Sequence, residues 1–307
     1  MLHLGVGNLF IIAGQSNSAG YSRDFCIDPP SMDVHLYRNR NKWDIASHPM
    51  NESTFAGSLA NEEMGVPGVS PYLAFGKTYG KMTGMPVGLI QTSLGGSPME
   101  RWNPKDGDLY LNMLDKIHQT GGKYAGVLWY QGCSDTNPGP AEKYLEHFRE
   151  YVEATRKELG YEIPFFTMQL NRQINGINDE CWGMVRDAQA RAAKEIPGVS
   201  VLTTSNLSLC DGIHNTAQAN VALGEKLAKQ CAHVLNGKEE YQPPELVKVE
   251  RADEAERKSF QLEGSGIWLK LTCDHVKNCF LVYSAVGKDS GFTLTDSELS
   301  LIHISEP

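Results

Sequence analysis

Apolar residues along the chain gather in short, nearly continuous runs, separated by longer stretches in which they recur every three or four positions. The continuous runs predict strands over 8–13, 34–37, 87–92, 125–130, 164–170 and 199–203. They lack in/out alternation, as strands covered on both faces do. The periodic stretches predict helices over 71–83, 109–119, 141–159, 180–196 and 216–235. In 141–159, Tyr144, Leu145, Phe148, Tyr151 and Val152 share one face with charges between them, the pattern of a surface helix packed on a sheet. Strands alternating with helices predict an α/β fold of three layers, with a mostly parallel central sheet between helices. Ligands of such sheets gather at the carboxyl ends of the strands.

After Asn236 the pattern changes. Positions 237–244 are polar and end in Pro243-Pro244, and the runs at 246–249, 266–272 and 279–283 are β-rich without a helical period. This predicts one large domain over 1–236, a linker over 237–244, and a small, partial β module over 245–307. The stretch 299–307 reads as a foreign tail.

Composition narrows the function classes. The chain has 307 residues, 41% hydrophobic and 21% charged, which suits a globular protein. No apolar run approaches the roughly 18 residues of a membrane span. Lys and Arg number 28 against 37 Asp and Glu, a formal charge of −9 that argues against a general nucleic-acid binder. The seven cysteines are scattered and include no Cys-x-x-Cys, so neither a disulfide scaffold nor a zinc ribbon is expected. Met1-Leu2-His3 leads into an apolar run without a charged n-region or a small-residue cleavage site, so no intact signal peptide is expected. Compartment and oligomeric state stay open.

The first predicted strand breaks at once into Gly14-Gln15-Ser16-Asn17-Ser18-Ala19-Gly20. A glycine that permits a sharp turn, followed by a serine among small residues, suits an exposed nucleophile. Backbone N–H groups opening the next helix could face a developing oxyanion. The same residues also suit an ordinary helix-capping turn. A serine needs a base, and among the nine histidines His214 follows the last predicted strand, with Asp211 three residues before it. That carboxylate could accept the Nδ1–H and orient the imidazole. Two more loops follow strand ends. Thr92-Ser93-Leu94-Gly95-Gly96-Ser97-Pro98 offers the Gly95 N–H, and Trp129-Tyr130-Gln131-Gly132-Cys133-Ser134-Asp135 offers the neutral amide of Gln131. Competing motifs fail: there is no Gly-x-Ser-x-Gly elbow, phosphate loop, dinucleotide fingerprint, His-Glu-x-x-His or EF-hand pattern.

Together these four loops resemble the SGNH (GDSL-like) hydrolase superfamily, and closely its sialate O-acetylesterase/acetylxylan esterase branch. The resemblance runs from about Leu9 to Leu235 and includes Met99-Glu100-Arg101-Trp102 and Arg186-Asp187-Ala188-Gln189. It implies Ser16 as nucleophile, His214 as base and Asp211 as its partner. It also implies an oxyanion hole from the Ser16 and Gly95 N–H groups and the Gln131 side chain, with no metal or cofactor. The implied substrate is an O-acetylated carbohydrate, sialic acid or a xylan-type glycan. Gln15, Arg101, Trp102, Trp129 and Tyr130, with Asn137, are the candidate substrate contacts near the predicted mouth. Arg101 could pair with a carboxylate, and aromatic faces suit sugar rings. One departure stands out: relatives read Gln-Gly-Glu-Ser where this chain has Gln131-Gly132-Cys133-Ser134. This departure and the β module motivate one alternative, a non-catalytic carbohydrate-binding relative; a second keeps the triad and assigns a lipid or thioester acyl substrate.

Overall fold

The computed structural model describes residues 6–63, 65–174, 176–237, 245–251, 253–259, 269–274, 279–284, 291–296 and 301–305. Every expected strand and helix of the first 236 residues forms within about two residues of its expected ends. In chain order these are β1 (Asn8–Gly14), α1 (Ser16–Ala19), β2 (Val34–Tyr37), β3 (Trp43–Ile45), α2 (Tyr72–Thr83), β4 (Val87–Gln91) and α3 (Asp108–Thr120). They continue with β5 (Tyr124–Tyr130), α4 (Pro140–Leu159), β6 (Phe165–Met168), α5 (Asp179–Glu195), β7 (Val199–Leu202) and α6 (Ala217–Asn236). The edge strand β3 and the single turn of α1 are additions to the sequence reading. Three residues paired on one side carry too little pattern to be read in advance.

The sheet order is β3-β2-β4-β1-β5-β6-β7, parallel throughout except for β3 against β2. Alternate residues of β1 enter opposite cores. Phe10 and Ile12 pack with α2 and α6, while Ile11 and Ala13 pack with α3, α4 and α5. The other central strands divide likewise, Leu128 and Tyr130 to one side and Val127 and Trp129 to the other. Two buried faces are the physical reason for the unbroken apolar runs. Because β1 sits between β4 and β5, the chain leaves it in both directions. The crevice at such a reversal is where ligands bind in open α/β sheets, and the loops after β1, β4 and β5 border it.

Beyond α6, β8 (Glu245–Arg251) pairs antiparallel with β9 (Leu269–Asp274), and a short helix α7 (Glu254–Ser259) lies between them in sequence. β10 (Cys279–Ser284), β11 (Gly291–Asp296) and β12 (Leu301–Ser305) form an antiparallel meander. Of the expected linker only Gly237 is described. Of the expected tail only 301–305 is described, as β12. No helix among the described residues is long and apolar enough to cross a membrane.

Candidate active site

Strand β1 ends at Gly14, whose φ of +132° is a left-handed conformation, and a Cβ there would collide with the Tyr130 carbonyl. The chain turns at that point into α1, and Ser16 is its first residue. Gly20 closes the turn in the left-handed region, donating its N–H to the Ser16 carbonyl at 2.9 Å. Ser18 pins the turn from below, its hydroxyl donating to the Ala13 carbonyl and bonded to Tyr72 Oη and Ser93 Oγ.

The opposite wall is a tight loop closed by the Leu209–Asn215 bridge. Asp211 Oδ1 accepts the backbone N–H groups of Ile213 and His214 at 2.9 and 2.7 Å, so the loop folds over the carboxylate. Its other oxygen, Oδ2, lies 2.7 Å from His214 Nδ1, and His214 Nε2 lies 2.8 Å from Ser16 Oγ. Burial raises the Asp211 carboxyl, but the two backbone N–H groups and His214 outweigh it and hold it below the usual carboxylate value. An ionised carboxylate accepts only, so it selects the Nδ1–H tautomer and leaves Nε2 to accept from Ser16. Serine, histidine and aspartate, 198 positions apart at the extremes, thus form one hydrogen-bonded line. Such a line can move a proton from a hydroxyl to an imidazole.

The other expected oxyanion donors are engaged within the protein. The Gly95 N–H donates to Glu63 Oε2 at 2.8 Å. That carboxylate also accepts from Asn51 Nδ2, Tyr21 Oη and the Gly65 N–H. Gln131 Nε2 donates to the Ser97 carbonyl at 3.1 Å and to Asp135 Oδ2 at 2.5 Å, and its Oε1 is buried without a partner among the described residues. The Tyr21 ring stands against the His214 ring, centroids 5.3 Å apart, and Ser16 is only 5% exposed. Sequence reasoning missed Glu63. It lies in a long irregular stretch, and only the folded chain brings it to Gly95.

Of the expected substrate contacts, Gln15, Trp102, Trp129 and Tyr130 are corrected by their burial, while Arg101 and Asn137 keep exposed surface. Trp102 and Trp129 are fully buried and meet edge to face at 5.2 Å, with Tyr151 beside both. Tyr130 is buried as well. A tryptophan at a strand end reads equally as core or as a sugar platform, and here the core claims it. Gln15 is 2% exposed, its Oε1 accepting the Gly132 and Ser134 N–H groups, so it ties the serine turn to the loop after β5. Arg101 forms a two-pronged ion pair with Asp108. Asn137 is exposed and bonded to Asn178. At Cys133, burial pushes the thiol up to about 12, so little thiolate exists at neutral pH.

The family model described as carbohydrate esterase, sialic acid-specific acetylesterase matches residues 6–233. A probable carbohydrate esterase of Arabidopsis thaliana is 26% identical over 245 residues, covering 72% of this chain and 88% of that protein. A crystal structure of an Arabidopsis thaliana protein superposes with a TM-score of 0.64 at 23% identity, covering 75% of this chain and 99% of that one. A carbohydrate acetylesterase from Xanthomonas citri gives 0.64 at 19% identity, over 97% of this chain and 70% of that one. The structure of NanS gives 0.60 at 12% identity, over 78% and 100%. These three likenesses establish the fold. The family match spans the whole sheet and all four loops at its carboxyl edge, so the chain belongs to the sialic acid-specific acetylesterase family of carbohydrate esterases.

Proposed function

We propose that this carbohydrate esterase removes O-acetyl groups from sugars through an acyl-enzyme on Ser16. The observation that carries the reading is the line of contacts from Ser16 Oγ to His214 Nε2, 2.8 Å, and from His214 Nδ1 to Asp211, 2.7 Å. Ser16 Oγ attacks the acetyl carbonyl as its proton passes to His214 Nε2, giving a tetrahedral oxyanion. Collapse breaks the C–O bond to the sugar, and the departing oxygen takes the proton from His214. Water then repeats the sequence on the acyl-enzyme, releasing acetate and restoring the Ser16 hydroxyl. The N–H of Ser16, at the start of a helical turn without an intrahelical acceptor, suits the oxyanion. The Gly95 N–H joins it when the substrate oxygen takes the place of Glu63. Gln131 joins only by giving up Ser97 or Asp135.

Sialic acid, which the family description names, is the sugar we assign first, with acetylated xylan fragments as the comparison. The experiment is acetate release across a panel of O-acetylated sialic acids and acetylated xylo-oligosaccharides, with Ser16→Ala and His214→Ala beside the parent. Release from sialates by the parent and loss in both variants is the expected result. Preferential release from xylo-oligosaccharides would reassign the sugar, and glycan binding without release would replace the esterase reading for this chain.

A further inference from the structure

Asp211 is a half-exposed support for its histidine, its side chain 51% accessible, and water competes for an exposed hydrogen bond. A second support is buried. Asn17, the residue after Ser16, is 3% exposed. Its Nδ2 donates to the Ile213 carbonyl at 3.1 Å, and its Oδ1 accepts the Asn215 N–H at 3.1 Å. These are the two peptide groups on either side of His214. The side-chain amide pairs with them as one peptide pairs with another, and the reversed amide would set oxygen against oxygen and N–H against N–H.

Asn215 extends the support inward. Fully buried, its amide bonds Asn171, Asn220 and Tyr130, and its carbonyl accepts from Ser22 Oγ. The loop carrying the histidine is thereby fastened to the ends of β5 and β6 and to α6, while Asn17 fastens it to the serine turn itself. Ser16 and His214 therefore have their separation fixed through a bridge one residue long on each side.

We propose that Asn17 is the positioning residue of this site, holding the backbone around His214 so that Nε2 stays in register with Ser16 Oγ. The proposal rests on the acyl-enzyme reading above. It touches no reacting atom, so its effect falls on the rate of the chemical step rather than on sugar binding. Loss of register by about an ångström lowers such a step on the order of 100-fold.

The test compares the parent with Asn17→Ala, Asn17→Asp and, as a control for lost buried polar contacts, Asn112→Ala. Asn112 is similarly buried, and its side-chain amide donates to Asn61 Oδ1 at 3.3 Å. Acetate release and the rate of organophosphonate labelling are measured well below each melting temperature. Asn17→Ala is expected to lower kcat on the order of 10- to 100-fold with KM within about threefold, and to slow labelling in step. Asn17→Asp, which keeps the acceptor but sets an oxygen against the Ile213 carbonyl, is expected to be no better. Asn112→Ala is expected to lose stability with kcat within about threefold. Parent-like kcat and labelling in folded Asn17→Ala would overturn the proposal and leave the acyl-enzyme reading standing. A change in KM alone would also overturn it. A parent that neither turns over nor is labelled would overturn both.

Discussion

A serine hydroxyl at neutral pH is a poor nucleophile until an imidazole takes its proton, and His214 Nε2 is 2.8 Å from Ser16 Oγ. Ser16→Ala is therefore expected to lower acetyl-ester turnover at least about 1,000-fold, measured as acetate release with folding checked by circular dichroism. A residual rate near that of the parent would contradict the assignment. Cys133 gives the converse expectation. With its thiol raised by burial, iodoacetamide at neutral pH should leave activity intact, and inactivation blocked by Cys133→Ser would contradict the inert reading. At this scale the contacts joining Ser16, His214 and Asp211 were legible because their signals are local. Gly14 and Ser16 share one turn, and Asp211 folds its own loop onto His214. Glu63 and the buried faces of Trp102 and Trp129 were not legible, because partners far along the chain define them.

The elements that carry the site leave little room for substitution at two glycines. Gly14 combines a φ of +132° with a carbonyl where a Cβ would go, so Gly14→Ala is expected to destabilise the fold by at least about 1–3 kcal/mol in urea unfolding. An unchanged midpoint would show that the β1–α1 turn can relax. Gly224, in α6, lies against the Pro71 carbonyl at the start of α2, where an added side chain would force the two helices apart. For the buried tryptophans, Trp102→Ala is expected to cost about 3–5 kcal/mol, and a change in sugar preference without loss of stability would restore the platform role. Helices and strands were readable because both faces of the sheet are covered, which writes continuous apolar runs. The three-residue edge strand β3 carries no such imprint.

Across the whole molecule, the region behind the site is organised around a buried lysine. Lys116 is fully buried, its ammonium donating to Asn39 Oδ1, Asn61 Oδ1 and the Gln91 carbonyl. Asn39 leads through Asn51 to Glu63, and Asn61 leads to the Ser93 carbonyl. Burial lowers Lys116 to about 7, whereas an unfolded chain holds that proton to about 10.4. Between those values the unfolded state binds more protons, so this group makes stability rise with pH across that window. Urea unfolding at pH 7 and pH 9 checks it: the difference in stability between parent and Lys116→Met should move in favour of the parent at the higher pH. An equal difference at both would contradict the depressed lysine.

We propose Ser16 Oγ as the atom that takes the acyl group. The most direct measurement is treatment of the protein with an organophosphonate ester, followed by peptide mass spectrometry and acetate release on the same samples. The account predicts an adduct on Ser16 alone, activity lost in proportion to labelling, no adduct in Ser16→Ala and much slower labelling in His214→Ala. Full acetate release by a completely labelled protein, or by Ser16→Ala, would contradict it.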